Sequence, residues 1–134
     1  MERPVERNSP DAFAGPLQGA RILVVEDDFF ISMELEAVLS EAGAAVRVCR
    51  TAEDALASVK KEAPSVGVLD FRMAAGTTEA VARRLHLQRV PFAFYTGQAE
   101  VAPLRAAWPE CAIVSKPARP QALIRALAEL LGRL

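Results

Sequence analysis

The sequence predicts an open α/β domain: five parallel strands in one sheet, with helices on both faces. Three observations lead there. Short apolar runs of four or five residues recur along the chain, the pattern of strands buried on both faces. Segments with apolar residues at helical spacing follow them. The β-α unit recurs five times in roughly 115 residues, from 20 to 134. Right-handed crossovers leave few topologies, and five units suit the flavodoxin-like strand order 2-1-3-4-5.

Arg21-Ile-Leu-Val-Val-Glu26 reads as the first strand. Ile31, Leu35, Val38, Leu39 and Ala42 then mark a helix, and Gly43 sits where it would end. Ala45 to Cys49 is a second strand. Thr51 is placed to cap a helix with Ala52, Ala55, Leu56 and Val59 inward, which Pro64 stops. Ser65 to Leu69 is a third strand, followed by a polar, Gly-containing loop. Thr77 or Thr78 opens a third helix with Val81, Ala82 and Leu85 inward. Pro91 to Tyr95 is a fourth strand. Residues Ala99 to Trp108 are weakly helical, with Pro103 inside, and Cys111 to Val114 is a fifth strand. Leu123, Ile124, Leu127, Leu130, Leu131 and Leu134 give the last helix the clearest amphipathic stripe. Residues 1–19 hold three Pro, two Gly, an Asn and a Ser without periodicity. They read as a flexible arm ahead of a single domain spanning 20–134.

Composition excludes several function classes. The 134 residues carry 16 Lys and Arg against 17 Asp and Glu, a formal net charge of −1. No basic excess or stripe marks a nucleic-acid partner. No segment reaches the ~18 apolar residues of a membrane span, and residues 1–19 lack the apolar run of a secretory signal. Their Arg residues suit a transit peptide, but Glu2, Glu6 and Asp11 oppose one. The expected compartment is the cytoplasm. Cys49 and Cys111 form no CxxC and have no neighbouring His, so they read as packing residues rather than zinc ligands. His86, in Leu85-His-Leu87, reads as a partly exposed helix residue.

In open α/β sheets the site lies at the carboxyl ends of the strands, beside the switch in strand order. Strand 1 ends in Glu26-Asp27-Asp28, strand 3 in Asp70, strand 4 in Thr96-Gly97 and strand 5 in Lys116-Pro117. Each residue alone has a plain structural reading, as a helix-start acid, a loop acid, a turn residue or a solvated cation. Together they place three acids, a hydroxyl and an ammonium on one edge. Clustered carboxylates need a counter-charge, and Mg²⁺, a hard cation taking oxygen ligands and water, suits them. Lys116 would bring a second positive charge to a phosphoryl oxygen. Thr96 can donate to another, and Gly97 keeps the approach open. The set looks like a phosphate site with an Asp nucleophile.

These residues resemble the receiver domain of two-component response regulators, over essentially residues 20–134. The matching pieces are Ile22-Leu-Val-Val-Glu-Asp-Asp28, Val66-Gly-Val-Leu-Asp70, Tyr95-Thr-Gly97 and Ser115-Lys-Pro117, spaced 43 residues from Asp27 to Asp70, 26 on to Thr96 and 20 on to Lys116. The resemblance implies that Asp70 is the phosphoacceptor, taking its group from a phosphohistidine of a sensor kinase or phosphotransfer protein. It implies that Asp27 binds Mg²⁺ directly, that Glu26 acts through water, and that the backbone carbonyl of Arg72 completes the metal shell. Thr96 becomes the switch hydroxyl and Lys116 the lysine that pairs with the phosphoryl group, aimed by a cis bond before Pro117. Asp28 lies one residue beyond the acidic pair and reads as a helix-start residue.

There are departures. The segment after Asp70, Phe-Arg-Met-Ala-Ala-Gly-Thr-Thr78, lacks the family's Pro four residues on, and the stretch to Thr96 is short. Phe94-Tyr-Thr-Gly97 partly matches a branch of stand-alone receivers reading Phe-Ala-Thr-Gly. The position three before the lysine, usually aromatic, is Ile113, and Tyr95 reads as an ordinary strand residue. Signalling by repacking helix 4, strand 5 and helix 5 would involve Gln98, Glu100, Arg105, Trp108 and Arg119, with Trp108 read chiefly as packing. With no helix-turn-helix after Leu134, a whole protein of this length would be expected to signal by contact with another, downstream protein or to serve as a shuttle or phosphate sink in a relay. The chain is expected to be a signalling protein rather than an enzyme. Two other readings within the family are an adaptor acting without phosphorylation and a receiver fragment of a hybrid kinase. A phosphohydrolase using Asp70 is disfavoured, because haloacid-dehalogenase-like phosphatases carry a second Asp where this chain has Arg72.

Overall fold

The computed structural model describes residues 15–133. Its main strands are β1 (Arg21–Val25), β2 (Ala45–Cys49), β3 (Val66–Leu69), β4 (Phe92–Thr96) and β5 (Ala112–Ser115). Its helices are α1 (Phe29–Glu41), α2 (Ala52–Lys61), α3 (Glu79–Leu87), α4 (Gln98–Ala107) and α5 (Pro120–Leu130). All pairings in the main sheet are parallel and the order is β2-β1-β3-β4-β5. This is the flavodoxin-like architecture expected from the repeating β-α pattern.

Successive residues of a strand point to opposite faces, so each strand feeds two cores. Ile22 and Val24 of β1, Val66 and Val68 of β3, and Ala93 and Tyr95 of β4 meet Leu35 and Leu39 of α1 and Leu123 and Leu127 of α5. Leu23, Val25, Leu69, Phe92 and Phe94 point the other way, onto Val59 of α2, Val81 and Leu85 of α3, and Leu104 of α4. Burial on both faces explains why β1, β3 and β4 read as unbroken apolar runs. The edge strand β2 is only partly covered.

Local signals act where expected at two helix ends. Thr51 Oγ1 accepts from the Asp54 amide at 3.0 Å and caps α2. Gly43, at φ +103°, follows α1 in the left-handed region that a side chain disfavours. Asp28 caps α1, its Oδ1 accepting from the Ile31 amide at 3.0 Å.

Two sequence expectations are revised. First, the arm does not extend to residue 19. Leu17 is fully buried, its amide donates to Ala42 O at 2.9 Å, and the Gly19 amide donates to Gly43 O at 3.1 Å. These bonds seat residues 15–19 on the domain, so its packed edge begins ahead of 20; the remainder of the arm, 1–14, lies outside the described residues. Second, the loop after Asp70 contains a small antiparallel hairpin, Arg72–Met73 against Gly76–Thr77, turning at Ala74–Ala75 and followed by Gly76 at φ +128°. Thr78 opens α3 as expected, but its hydroxyl does not cap the helix and instead donates to the Asp70 carbonyl at 2.7 Å. The weakly helical stretch forms α4 throughout Gln98–Ala107, with Pro103 inside, whose missing N–H leaves one intrahelical bond unmade. Trp108, just past α4, packs edge-on against Phe92 and Phe94 at 5.8 and 6.0 Å, which identifies it as a packing residue. His86 is exposed on α3, and both cysteines are free.

Candidate functional site

The parallel sheet brings the ends of β1, β3, β4 and β5 to one edge. The Glu26 amide donates to Cys49 O at 3.1 Å and the Asp70 amide to Val25 O at 2.9 Å, which extends the ladder to both acids. The Thr78 hydroxyl holds the Asp70 carbonyl from the far side. The acids are therefore fixed by backbone bonds, and their carboxylates are left for chemistry. One oxygen each from Glu26, Asp27 and Asp70 lies within 4.8 Å of the others.

Lys116 enters this group from the end of β5. Its Nζ donates to Glu26 Oε1 at 2.7 Å and lies 3.4 Å from Asp70 Oδ2. The Lys116 amide donates to Thr96 O at 2.8 Å, and the Lys116–Pro117 bond is cis. Glu26 is 2% exposed and Asp70 8%. Burial pushes the Glu26 carboxyl above its ordinary range, the Lys116 and Asp28 hydrogen bonds opposing it only in part. Burial on its own would lower Lys116, but its bond to Glu26 and the charges of Glu26 and Asp70 outweigh this and raise it.

Three carboxylates and one ammonium leave an acidic, oxygen-rich set. That donor chemistry fits a hard divalent cation such as Mg²⁺. Thr96 is buried at the end of β4. A Cβ built on Gly97 would meet nothing within 4 Å, so the approach beside it is open.

A family model, the response regulator receiver domain, matches residues 22–128. The chain belongs to this family. Among solved structures, it resembles a response regulator receiver protein from Sinorhizobium medicae at 25% identity and TM-score 0.77, over 87% of this chain and 97% of that one. It resembles NtrX from Brucella abortus at 25% identity and TM-score 0.76, over 84% of this chain and 27% of that one. A receiver domain protein from Clostridium thermocellum, 21% identical, shares the fold at TM-score 0.76, over 85% of this chain and 95% of that one. No curated protein matches the chain at a significant level. Receiver domains of response regulators serve two-component signalling, in which they accept phosphoryl groups and meet kinases or phosphotransfer proteins. Among the described residues, no helix is long and apolar enough to cross a membrane.

Glu26, Asp27, Asp70 and Lys116 thus converge in this receiver, and Thr96 joins them through its backbone. Asp28 stands apart as a helix cap. Ile113, in the usual aromatic position, packs into the core under α2–α4. Tyr95 lies in the opposite core, its hydroxyl accepting from the Ala118 amide at 3.4 Å and its ring 5.5 Å from Lys116 Nζ.

Two contacts had no sequence signal. The Ala74 amide donates to Asp27 Oδ2 at 2.7 Å, tying the hairpin to the acidic cluster. A backbone donor can come from almost any residue, so no residue type marks it. The Arg72 guanidinium is taken up by Glu100 of α4. Nε donates to Oε2 at 3.0 Å and Nη2 to Oε1 at 3.4 Å. The residue types are an obvious pair, but the 28 residues between them carry no periodicity that would match one to the other.

Proposed function

We propose that this receiver takes a phosphoryl group onto Asp70 from a phosphohistidine of a sensor kinase or phosphotransfer protein, and signals through altered protein contacts. The observation that carries this reading is Lys116 Nζ poised between Glu26 and Asp70. An Asp70 oxygen attacks phosphorus, the bond from phosphorus to the donor imidazole nitrogen breaks, and that nitrogen keeps the electron pair. The product is an aspartyl phosphate. Glu26, Asp27, Asp70 and the Arg72 carbonyl would hold Mg²⁺, which supplies charge neutralisation for the incoming phosphoryl oxygens. Lys116 leaves the carboxylates for one phosphoryl oxygen, and the Thr96 hydroxyl donates to another. The added ~1.5–2 negative charges then bias the surface of α4, β5 and α5.

Phe29, Phe30 and Met33 are exposed on α1 beside the acids, and they offer the phosphoryl donor an apolar face. Exposed Gln98 and Arg105, half-buried Glu100 and exposed Arg119 lie on the output side. The phosphoryl group ends on the chain's own Asp70, so the protein acts as a signalling component of the cytoplasm rather than as an enzyme. The test is incubation with acetyl phosphate and Mg²⁺, read as intact mass. Wild type should gain one phosphoryl group, and Asp70→Asn should gain none. Equal labelling of both, or of neither, overturns the assignment.

A further inference from the structure

We infer that Arg72 is a phosphoryl-binding residue held in reserve by Glu100, and that its release couples Asp70 to α4. The inference rests on the phosphoacceptor reading above. Arg72 stands two residues beyond Asp70, on the hairpin that Ala74 ties to Asp27. Its side chain spans from the hairpin to the first turn of α4, where it grips both oxygens of Glu100. The Arg72 side chain is 63% exposed. An ion pair in that setting is weak and salt-screened, which suits a contact that must be exchanged.

A phosphoryl group on Asp70 would be the better partner. It carries more charge than a carboxylate, and its oxygens match the planar fork of an arginine. Arg72 would turn from Glu100 to those oxygens, covering them from water and freeing the start of α4. That helix is loosely held. Leu104 is its one buried residue, Pro103 removes an intrahelical bond, and besides the Arg72 pair its first turn is tied by Ser115 Oγ to Gln98 Oε1 at 2.8 Å. With Ile113 in the usual aromatic position, Arg72 supplies a route to α4 that does not need an aromatic side chain.

The sole Trp, Trp108 at the C-terminus of α4, reports on this element. The experiment compares wild type, Glu100→Gln, Arg72→Lys and Arg72→Ala. One reading is Trp108 emission with and without beryllium trifluoride and Mg²⁺. The other is the half-life of the phosphoryl group after acetyl phosphate labelling. Glu100→Gln frees Arg72. Its resting emission should move toward the beryllofluoride form, and its phosphoryl half-life should lengthen roughly two- to fivefold, the scale of one exposed ion pair. Arg72→Ala should shorten the half-life and blunt the emission change, with Arg72→Lys in between. If wild type is phosphorylated but Glu100→Gln and Arg72→Ala behave like it, the coupling is wrong while the phosphoacceptor reading stands. If wild type takes no phosphoryl group, the phosphoacceptor reading falls, and this inference falls with it.

Discussion

Lys116 Nζ sits 2.7 Å from Glu26 Oε1, across 90 residues of sequence, and Asp70 Oδ2 lies 3.4 Å from the same ammonium. One cation therefore balances two buried carboxylates. Removing it leaves Glu26 buried without its partner. Lys116→Met should destabilise the domain by about 1–3 kcal/mol in urea unfolding at neutral pH. It should also abolish labelling by acetyl phosphate. An unchanged unfolding midpoint would show that the pair is unimportant to the resting fold.

The same burial sets a pH dependence. Glu26 has its carboxyl raised from the ordinary 4.5. A raised acid favours the folded state below its unfolded value, and that contribution is lost as pH rises through the folded value. Wild type should therefore lose stability from Glu26 as pH climbs from 4.5. In Glu26→Gln, which cannot ionise, unfolding midpoints should fall less over the same range. Parallel curves for the two proteins would contradict the raised value.

Asp27 has two tasks, offering a carboxylate oxygen to the acidic cluster and accepting at Oδ2 from the Ala74 amide. Asp27→Ala should weaken Mg²⁺ binding by about tenfold or more in calorimetric titration. It should also speed hydrogen exchange of the Ala74 amide, read by NMR. Protection of that amide in the variant would place its acceptor elsewhere.

Trp108 packs against Phe92 and Phe94. Because it is only half-buried, Trp108→Ala should cost roughly 2 kcal/mol, less than a fully buried aromatic. Mg²⁺ affinity should be unchanged, since the residue is outside the acidic cluster. A loss of Mg²⁺ binding with stability intact would instead assign it to the site.

Leu17 tests where the domain begins. It is fully buried, so Leu17→Ala should cost about 2–3 kcal/mol in the same unfolding assay. A chain starting at residue 20 should be destabilised at least as much. Full stability in both would mean that residues 15–19 only rest on the surface.

The fold was legible because its causes are local. Strand runs such as Ile22–Val25 and helical spacing such as Leu123–Leu127 arise from the pleat and the helical turn, and both periods are written in consecutive residues. Candidate site residues were legible for the same reason. Ladder bonds carry strand ends to a common edge, so Glu26, Asp27, Asp70, Thr96 and Lys116 could be expected together. The seating of Leu17 was not legible, because a Pro- and Gly-rich stretch looks alike whether it is docked or free. Nor was the hairpin at Arg72–Thr77, which is too short to show a period.

Strand order, the acidic edge and the residue types gathered there could be read from the order of the residues alone. The pairings within that edge came only with the folded chain: Lys116 on Glu26 ahead of Asp70, Ala74 on Asp27, and Arg72 on Glu100. These are contacts of side-chain reach and backbone donors between segments far apart in the chain. No periodicity encodes such contacts, because they exist only once the sheet has set the distances.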